Sequence, residues 1–276
     1  MLMNTEIPVD AVMPGGAQTV LTIATGLIAV AVLYYAITLS RRRGDLLAVY
    51  IFIGSGLAVF YEPLGDMLAQ VYYPERGQWT WITAFGHGIP VFIGLLYFWY
   101  MSLGALWLLG KSRTGVSAKQ WWTSWTGYLL FAVVLEMAAA KGLASDTGAP
   151  WVYYGDQPFM ILDVPFFTPW TYGPSIDTAV AVGAITAARL LPRGRQWLVL
   201  PMVPLFMLAG HLMSAFPSVL ALHSTDNVVL SHLGALGTAA AALLISYLGS
   251  LVFRKPWESA QTATGVAAEG TVVSSR

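Results

Sequence analysis

The sequence predicts an all-α polytopic membrane protein, a bundle of seven transmembrane helices with its N-terminus outside and its C-terminus inside. Three observations carry this. Of the 276 residues, 57% are hydrophobic and only 10% are charged, against about 25% charged in a soluble domain. Seven apolar stretches each reach the roughly 20 residues needed to cross a bilayer core. The basic residues also segregate. With the N-terminus outside, the inner loops carry Arg41, Arg42, Arg43, Lys111, Arg113, Lys119, Arg189, Arg193, Arg195, Arg254 and Lys255, while the outer side holds Arg76 and Lys141, a positive-inside pattern.

The spans fall near 18–40, 46–72, 80–110, 120–143, 167–190, 196–222 and 228–253. Residues 1–17 form an extracytoplasmic segment without Lys or Arg, in which Glu6 and Asp10 occupy the place of a basic leader region. The first apolar run, followed at once by Arg41-Arg42-Arg43, therefore reads as an uncleaved anchor. The second span contains Tyr61-Glu62-Pro63-Leu64-Gly65-Asp66, where Pro63 frees the carbonyl of Val59 and predicts a kink. The third carries His87 between Gly86 and Gly88, and the fourth carries Glu136 in an otherwise apolar run. Asp177 follows Gly173-Pro174-Ser175 in the fifth, His211 lies in the sixth and His232 in the seventh. The tail 254–276 is rich in small and polar residues and is expected to be a disordered cytoplasmic segment.

Two outer loops are dense in aromatics, around Tyr72-Tyr73 and around Trp151, Tyr153 and Tyr154, and the apolar, proline-rich segment 157–170 follows. They fit either an interfacial aromatic belt or a lid over an outward pocket.

Glu62, Asp66, Glu136, Asp177 and the three histidines all fall in the outer half of the membrane when counted along their helices at 1.5 Å per residue. An ionisable side chain in hydrocarbon costs on the order of 2.5–3.5 kcal/mol even on lenient insertion scales, so it normally faces the bundle interior and is used. The expectation is one polar site, with Glu62, Glu136 and Asp177 lining a common cavity. Glu62 and Asp66 are four apart and share a helix face. Two carboxyls on one face at low dielectric should not both ionise, which leaves one neutral proton donor beside one charged acceptor. Other readings stay open: Asp66 as a helix cap, a Glu136–Lys141 ion pair, and His87, His211 and His232 as packing residues rather than substrate-binding ones. Metal or haem ligation by histidines from different helices also stays open, although their spacing on any one helix matches no zinc signature.

The chain has no cysteine, which excludes disulfides, thiolate nucleophiles and cysteine metal sites. Its net charge is zero and no basic run is long enough for a nucleic-acid partner. No nucleotide-binding loop, nucleophile elbow or HExxH helix is present.

Three blocks resemble the AveC-like spirocyclases, polytopic membrane cyclases of actinobacterial polyketide pathways. They are Val59-Phe60-Tyr61-Glu62-Pro63-Leu64, the Val134-Leu135-Glu136 end of the fourth span, and the stretch from Trp151-Val152-Tyr153-Tyr154-Gly155 through Pro165 to Asp177 and Arg189. The pattern covers roughly 45–195. It departs from the family in lacking a histidine near Asp177. The resemblance implies acid-catalysed spiroketal formation, sometimes with dehydration, on a lipophilic polyketide. The candidate catalytic residues are Glu62, Asp66, Glu136 and Asp177, and the candidate substrate contacts are Tyr61, His87, Trp151, Tyr153, Tyr154, His211 and His232. In design and size the chain is also similar to the small seven-helix membrane terpene cyclases of meroterpenoid pathways.

The residues themselves carry the same chemistry. Ring closure on an activated ketone or cation needs a proton donor, a base and a dry pocket, and aromatic faces stabilise cations. No cofactor is required. The expected partners are a lipophilic small-molecule substrate and membrane lipids, in a multi-pass protein of a bacterial plasma membrane. A proton-coupled transporter, using the same buried acids as a relay, and a non-enzymatic sensor or lipid-binding protein are the competing readings.

Overall fold

The computed structural model describes residues 7–143, 148–224 and 227–257. The chain is mostly helical, with a few two- to five-residue strands confined to the loops. Six helical stretches are long and apolar enough to cross a membrane: Gly15–Arg43, Leu47–Ala69, Val91–Gly110, Ala118–Lys141, Arg193–Ser224 and Val228–Val252. The expected N-terminal segment is described only from Ile7 and the expected disordered tail only to Trp257; the remainder of each lies outside the described residues.

Helix α1 (Gly15–Arg43) ends at Gly44, whose left-handed backbone returns an N–H to the carbonyl of Ser40. The second stretch is not one helix. Helix α2 (Leu47–Leu57) tightens into a 3₁₀ turn over Ala58–Tyr61 and resumes as α3 (Glu62–Ala69). Pro63 thus sits in the first turn of α3, where no intrahelical donor is needed, and the predicted kink takes the form of that 3₁₀ turn. Strand β1 (Val71–Tyr72) follows, then the hairpin β2 (Thr80–Ala84) and β3 (His87–Pro90).

The third span therefore begins at Val91, not near residue 80. Phe85 and Gly86 both adopt positive φ (53° and 78°), the two-residue turn that matches hairpin twist. Pro90 then precedes α4 (Val91–Tyr100) as its N-cap. His87, expected inside a span, lies instead in this hairpin. After a turn at Met101–Ser102 the helix continues as α5 (Leu103–Gly110).

Helix α6 (Ala118–Met137) starts with a reciprocal cap between Ser117 and Gln120 and loosens into a π turn over Ala138–Gly142. Strand β4 (Val152–Tyr153), which pairs with β1, and the hairpin β5 (Met160–Ile161) and β6 (Val164–Pro165) follow. The segment 168–190 is helical in pieces. Short α7 (Thr168–Trp170) runs into a π turn over Thr171–Ser175, broken at Gly173 (φ −85°, ψ −123°) with Pro174 inside, before α8 (Ile176–Leu190). A 3₁₀ turn over Arg193–Leu198 leads to α9 (Val199–Ser224), and α10 (Val228–Val252) closes the bundle.

Helix α9 lies at the centre, packed on α2, α8 and α10, while α4 packs on α1 and α2. Small residues set these crossings, as expected where hydrocarbon surrounds the helices and no hydrophobic drive holds them together. Gly54 of α2 faces α9 so closely that an added Cβ would lie 2.5 Å from the Leu200 carbonyl oxygen and 2.9 Å from the Val203 Cβ. At Gly127, on the outward face of α6, a Cβ would meet nothing within 4 Å.

This contrast gives the first prediction. Gly54→Ala should lower unfolding stability in detergent by about 1–3 kcal/mol, the usual cost of overpacking. Gly127→Ala should be neutral or stabilising by up to roughly 1 kcal/mol through helix propensity. Equal thermal midpoints for the two variants would contradict the α2–α9 packing.

Candidate active site

The breaks in the helices put the acids where they are. Glu62 is the first residue of α3, immediately after the 3₁₀ turn, and its side chain is only 6% exposed. Tyr73, just beyond β1, donates its hydroxyl to Glu62 Oε1 at 2.8 Å. Tyr97, near the middle of α4, donates to Oε2 in a short hydrogen bond. Glu136 ends the regular part of α6, just ahead of the π turn. Its Oε2 accepts from Trp151 Nε1 at 3.0 Å and from Tyr153 Oη at 2.7 Å. Each acid is therefore cradled by two donors.

Asp66 is different. One turn along α3 from Glu62, it is 2% exposed, and its Oδ2 is buried with no hydrogen-bond partner. Its backbone carbonyl takes the N–H of Gln70 at the end of α3, so the helix ends without help from the Asp66 side chain. The capping alternative thus has no support in the geometry.

Glu62, Asp66 and Glu136 line one cavity of about 60 Å³ with Tyr97, Tyr153 and Tyr172. A second wall holds Tyr73 and Trp151, with Phe92 packed behind them. Trp151 stands 6.2 Å from Tyr73 at 71° and 6.4 Å from Phe92 at 29°, ring centre to ring centre. Among the described residues no Lys or Arg lines this cavity.

The donors come from the loops as much as from the helices. Val71 pairs with Tyr153 and Tyr72 with Val152 in the antiparallel β1–β4 ladder. That pairing sets Tyr73 and Trp151 side by side, so the donors to Glu62 and Glu136 arrive on one two-stranded cover. Gln157 ties the cover down, donating to the carbonyls of Ala69 and Tyr154 at 2.9 Å each. Tyr73 and Tyr153 are held well above the usual phenol range, first by burial and then by the adjacent Glu62 and Glu136 respectively. Both stay protonated, and so remain donors, across the neutral range.

Asp177 lies elsewhere. It lines a second cavity of about 290 Å³ between α5, α6 and α8, which corrects the expectation of one cavity for all three acids. The two cavities are separated by Tyr100 and Tyr128, whose rings are 5.1 Å apart and linked by the Tyr128 hydroxyl donating to the Tyr100 carbonyl. Tyr100 faces the first cavity and Tyr128 the second. The cause is local. The turn at Met101–Ser102 leaves the Gly104 N–H near the start of α5 without an intrahelical acceptor, and Asp177 Oδ1 accepts it at 3.1 Å.

The other expected residues divide. Trp151 and Tyr153 line the carboxyl cavity, but Tyr61 and Tyr154 do not. Tyr154 instead gives its backbone N–H to the Gln70 carbonyl. His211 is buried, 5.1 Å from the Tyr172 ring, with Nε2 unpartnered and no position on the cavity wall. His232 stacks on Phe159 at 4.0 Å, and His87 sits in the β2–β3 hairpin. Among the described residues no three His, Asp or Glu side chains converge closely enough to hold a metal ion. Lys141 pairs with Asp163 of the β5–β6 hairpin and not with Glu136. The hairpin's tip, Phe159 to Leu162, stays exposed, so the cover over the site is β4 and not the segment 157–170.

Sequence reasoning passed over Tyr97 and Tyr172. A signal existed: a tyrosine hydroxyl inside an apolar span needs a partner, and a carboxyl at similar depth is the natural one.

The hydrogen bonds to Glu62 can be tested by a double-mutant cycle. Tyr97→Phe should cost about 1.5–3 kcal/mol of stability in the wild type, as for hydrogen bonds to charged groups, and much less in a Glu62→Met background. A coupling energy near zero would mean that Tyr97 does not hold Glu62. Protein-family models, curated proteins and solved structures give no match to the chain.

Proposed function

We propose that the protein is a membrane-embedded, cofactor-independent cyclase that closes rings on a lipophilic small molecule by acid–base chemistry at Glu62, Asp66 and Glu136. The observation that carries this reading is the convergence of three carboxyl groups, Glu62 and Asp66 buried and Glu136 half-buried, on one cavity that no Lys or Arg lines among the described residues. Like charges so placed at low dielectric cannot all ionise. Glu62 and Glu136, each accepting two hydrogen bonds, are the groups best fitted to carry charge. Asp66, accepting none, is the group best fitted to hold a proton.

We read the chain as seven passes with the N-terminus outside, counting the broken segment 168–190 as the fifth. The cavity then opens toward the outer face of a bacterial plasma membrane. The resemblance to AveC-like spirocyclases supplies the substrate class, a lipophilic dihydroxyketone. In that reaction Asp66 protonates the ketone oxygen while Glu136 takes the proton of the attacking hydroxyl, giving a hemiketal. Glu136 then gives that proton to the hemiketal hydroxyl, which leaves as water, and the resulting oxocarbenium ion is stabilised by the Glu62 carboxylate and the faces of Tyr73 and Trp151. The second hydroxyl then adds and returns its proton to the carboxyl set. One water leaves per spiroketal formed, and no net proton is consumed.

A cavity of about 60 Å³ is well below the 300–1,000 Å³ usual for small-molecule sites. In this reading the β1–β4 cover lifts to admit substrate, and only two residue pairs form its ladder. Lifting it withdraws Tyr73, Trp151 and Tyr153 from the acids, so the donor set reassembles only over bound substrate. A transport reading has less support, because the Tyr100–Tyr128 partition stands between the carboxyl cavity and the inner half of the bundle.

The test uses membranes matched for expression and a lipophilic dihydroxyketone, with product read by mass as loss of one water. Asp66→Asn and Glu136→Gln should each stay folded and lower turnover by roughly 10²–10⁴-fold, the range for losing a positioned acid or base. His223→Ala, exposed near the outer end of α9, should keep near-wild-type turnover. Full activity in Glu136→Gln, or no cyclised product from the wild type, would overturn the assignment.

A further inference from the structure

The second cavity, about 290 Å³, comes close to the lower end of the small-molecule range, and the chemistry above makes no use of it. Its walls are Trp107 of α5, Trp121, Trp125 and Tyr128 of α6, and its floor is Asp177. Helix α6 packs mainly on the π turn 171–175 and on α7 rather than along α5, and the space this leaves is the cavity. Ser124, exposed on α6, stands at its mouth.

The polar content of this space is unusual. Asp177 spends Oδ1 on the Gly104 N–H, while Oδ2 has no hydrogen-bond or ion-pair partner among the described residues. Gly104 has no side chain to interfere: a Cβ there would fall on the Asp177 carboxylate itself. The other walls are almost wholly apolar and aromatic, and no Lys, Arg or His lines the cavity. An acid held at membrane depth without a cation is costly, and a cation entering the cavity would offset that cost. Three indoles and a phenol line the cavity together with the carboxylate, and aromatic walls favour a cation with a greasy surface, alkylammonium above all. A metal cation would find one carboxylate and too few oxygen ligands.

We propose that this cavity is a binding site for a lipophilic ammonium ion, its charge on Asp177 and its alkyl groups against Trp107, Trp121 and Trp125. The site is independent of the cyclase reading and stands or falls separately from it.

The experiment uses the full chain in nanodiscs of zwitterionic lipid, titrated with hexyltrimethylammonium and, separately, with hexanol. Binding is followed by calorimetry and by tryptophan fluorescence. The wild type should bind the ammonium at least tenfold more tightly than the alcohol. Asp177→Asn keeps an oxygen for the Gly104 N–H but removes the charge. It should lose at least tenfold in ammonium affinity and leave hexanol binding unchanged. Trp125→Leu should weaken ammonium binding by roughly three- to tenfold. Should Asp177→Asn fail to fold, Ser124→Trp, which fills the mouth and leaves Asp177 in place, should abolish ammonium binding. Equal affinity for the two probes, or ammonium binding unaffected by these substitutions, would reduce the cavity to an apolar crevice for lipid tails and overturn the proposal.

Discussion

Acids set into apolar helices, in cavities that no Lys or Arg lines among the described residues, are the constraint on which the rest of this structure depends. Each must be given hydrogen-bond donors, or a proton, or a ligand, because hydrocarbon supplies none. The chain meets this demand in three ways. Glu62 and Glu136 receive phenol and indole donors, Asp177 receives a backbone N–H, and Asp66 Oδ2 receives no donor among the described residues. The differences between these solutions separate the roles of the four acids.

The same demand explains why the helices are interrupted. An unbroken helix satisfies its own backbone and has no N–H to spare. The turn at Met101–Ser102 releases the Gly104 N–H for Asp177, and the 3₁₀ turn at Ala58–Tyr61 sets Glu62 at the head of α3. The breaks fall beside acids because those are the places where irregular backbone and a buried charge can satisfy one another. The outer cover extends the arrangement: β1 and β4 together carry donors to both Glu62 and Glu136, so the state of the cover and the hydrogen bonding of the acids change together.

Much of this was legible in the sequence and some was not, for identifiable reasons. Helices α1, α9 and α10 read correctly because length and apolarity alone define them. Glu62, Asp66 and Glu136 were recognisable as one site because isolated acids in apolar runs carry a strong signal. The start of the third span is hard to place because Trp79 to Ile93 carries no Asp, Glu, Lys or Arg, and only the turn chemistry of Phe85-Gly86 and the break at Pro90 distinguish hairpin from helix. Asp177 was grouped with the other acids because counting along helices gives depth but not azimuth. The Tyr100–Tyr128 partition, which decides the matter, is a contact between residues 28 apart. His87 illustrates the same limit, since a histidine between glycines suits a ligand site and an exposed hairpin equally well.

The central claim is that the carboxyl set of the first cavity stores a proton, and that Asp66 is where it rests. Infrared difference spectroscopy of the purified protein across neutral pH reads this directly, because a protonated carboxyl in an apolar site has its own carbonyl band. The wild type should show such a band at neutral pH, and Asp66→Asn should abolish it while Asp177→Asn leaves it in place. A wild-type spectrum without a protonated carboxyl at neutral pH, or a band indifferent to Asp66→Asn, would contradict the account.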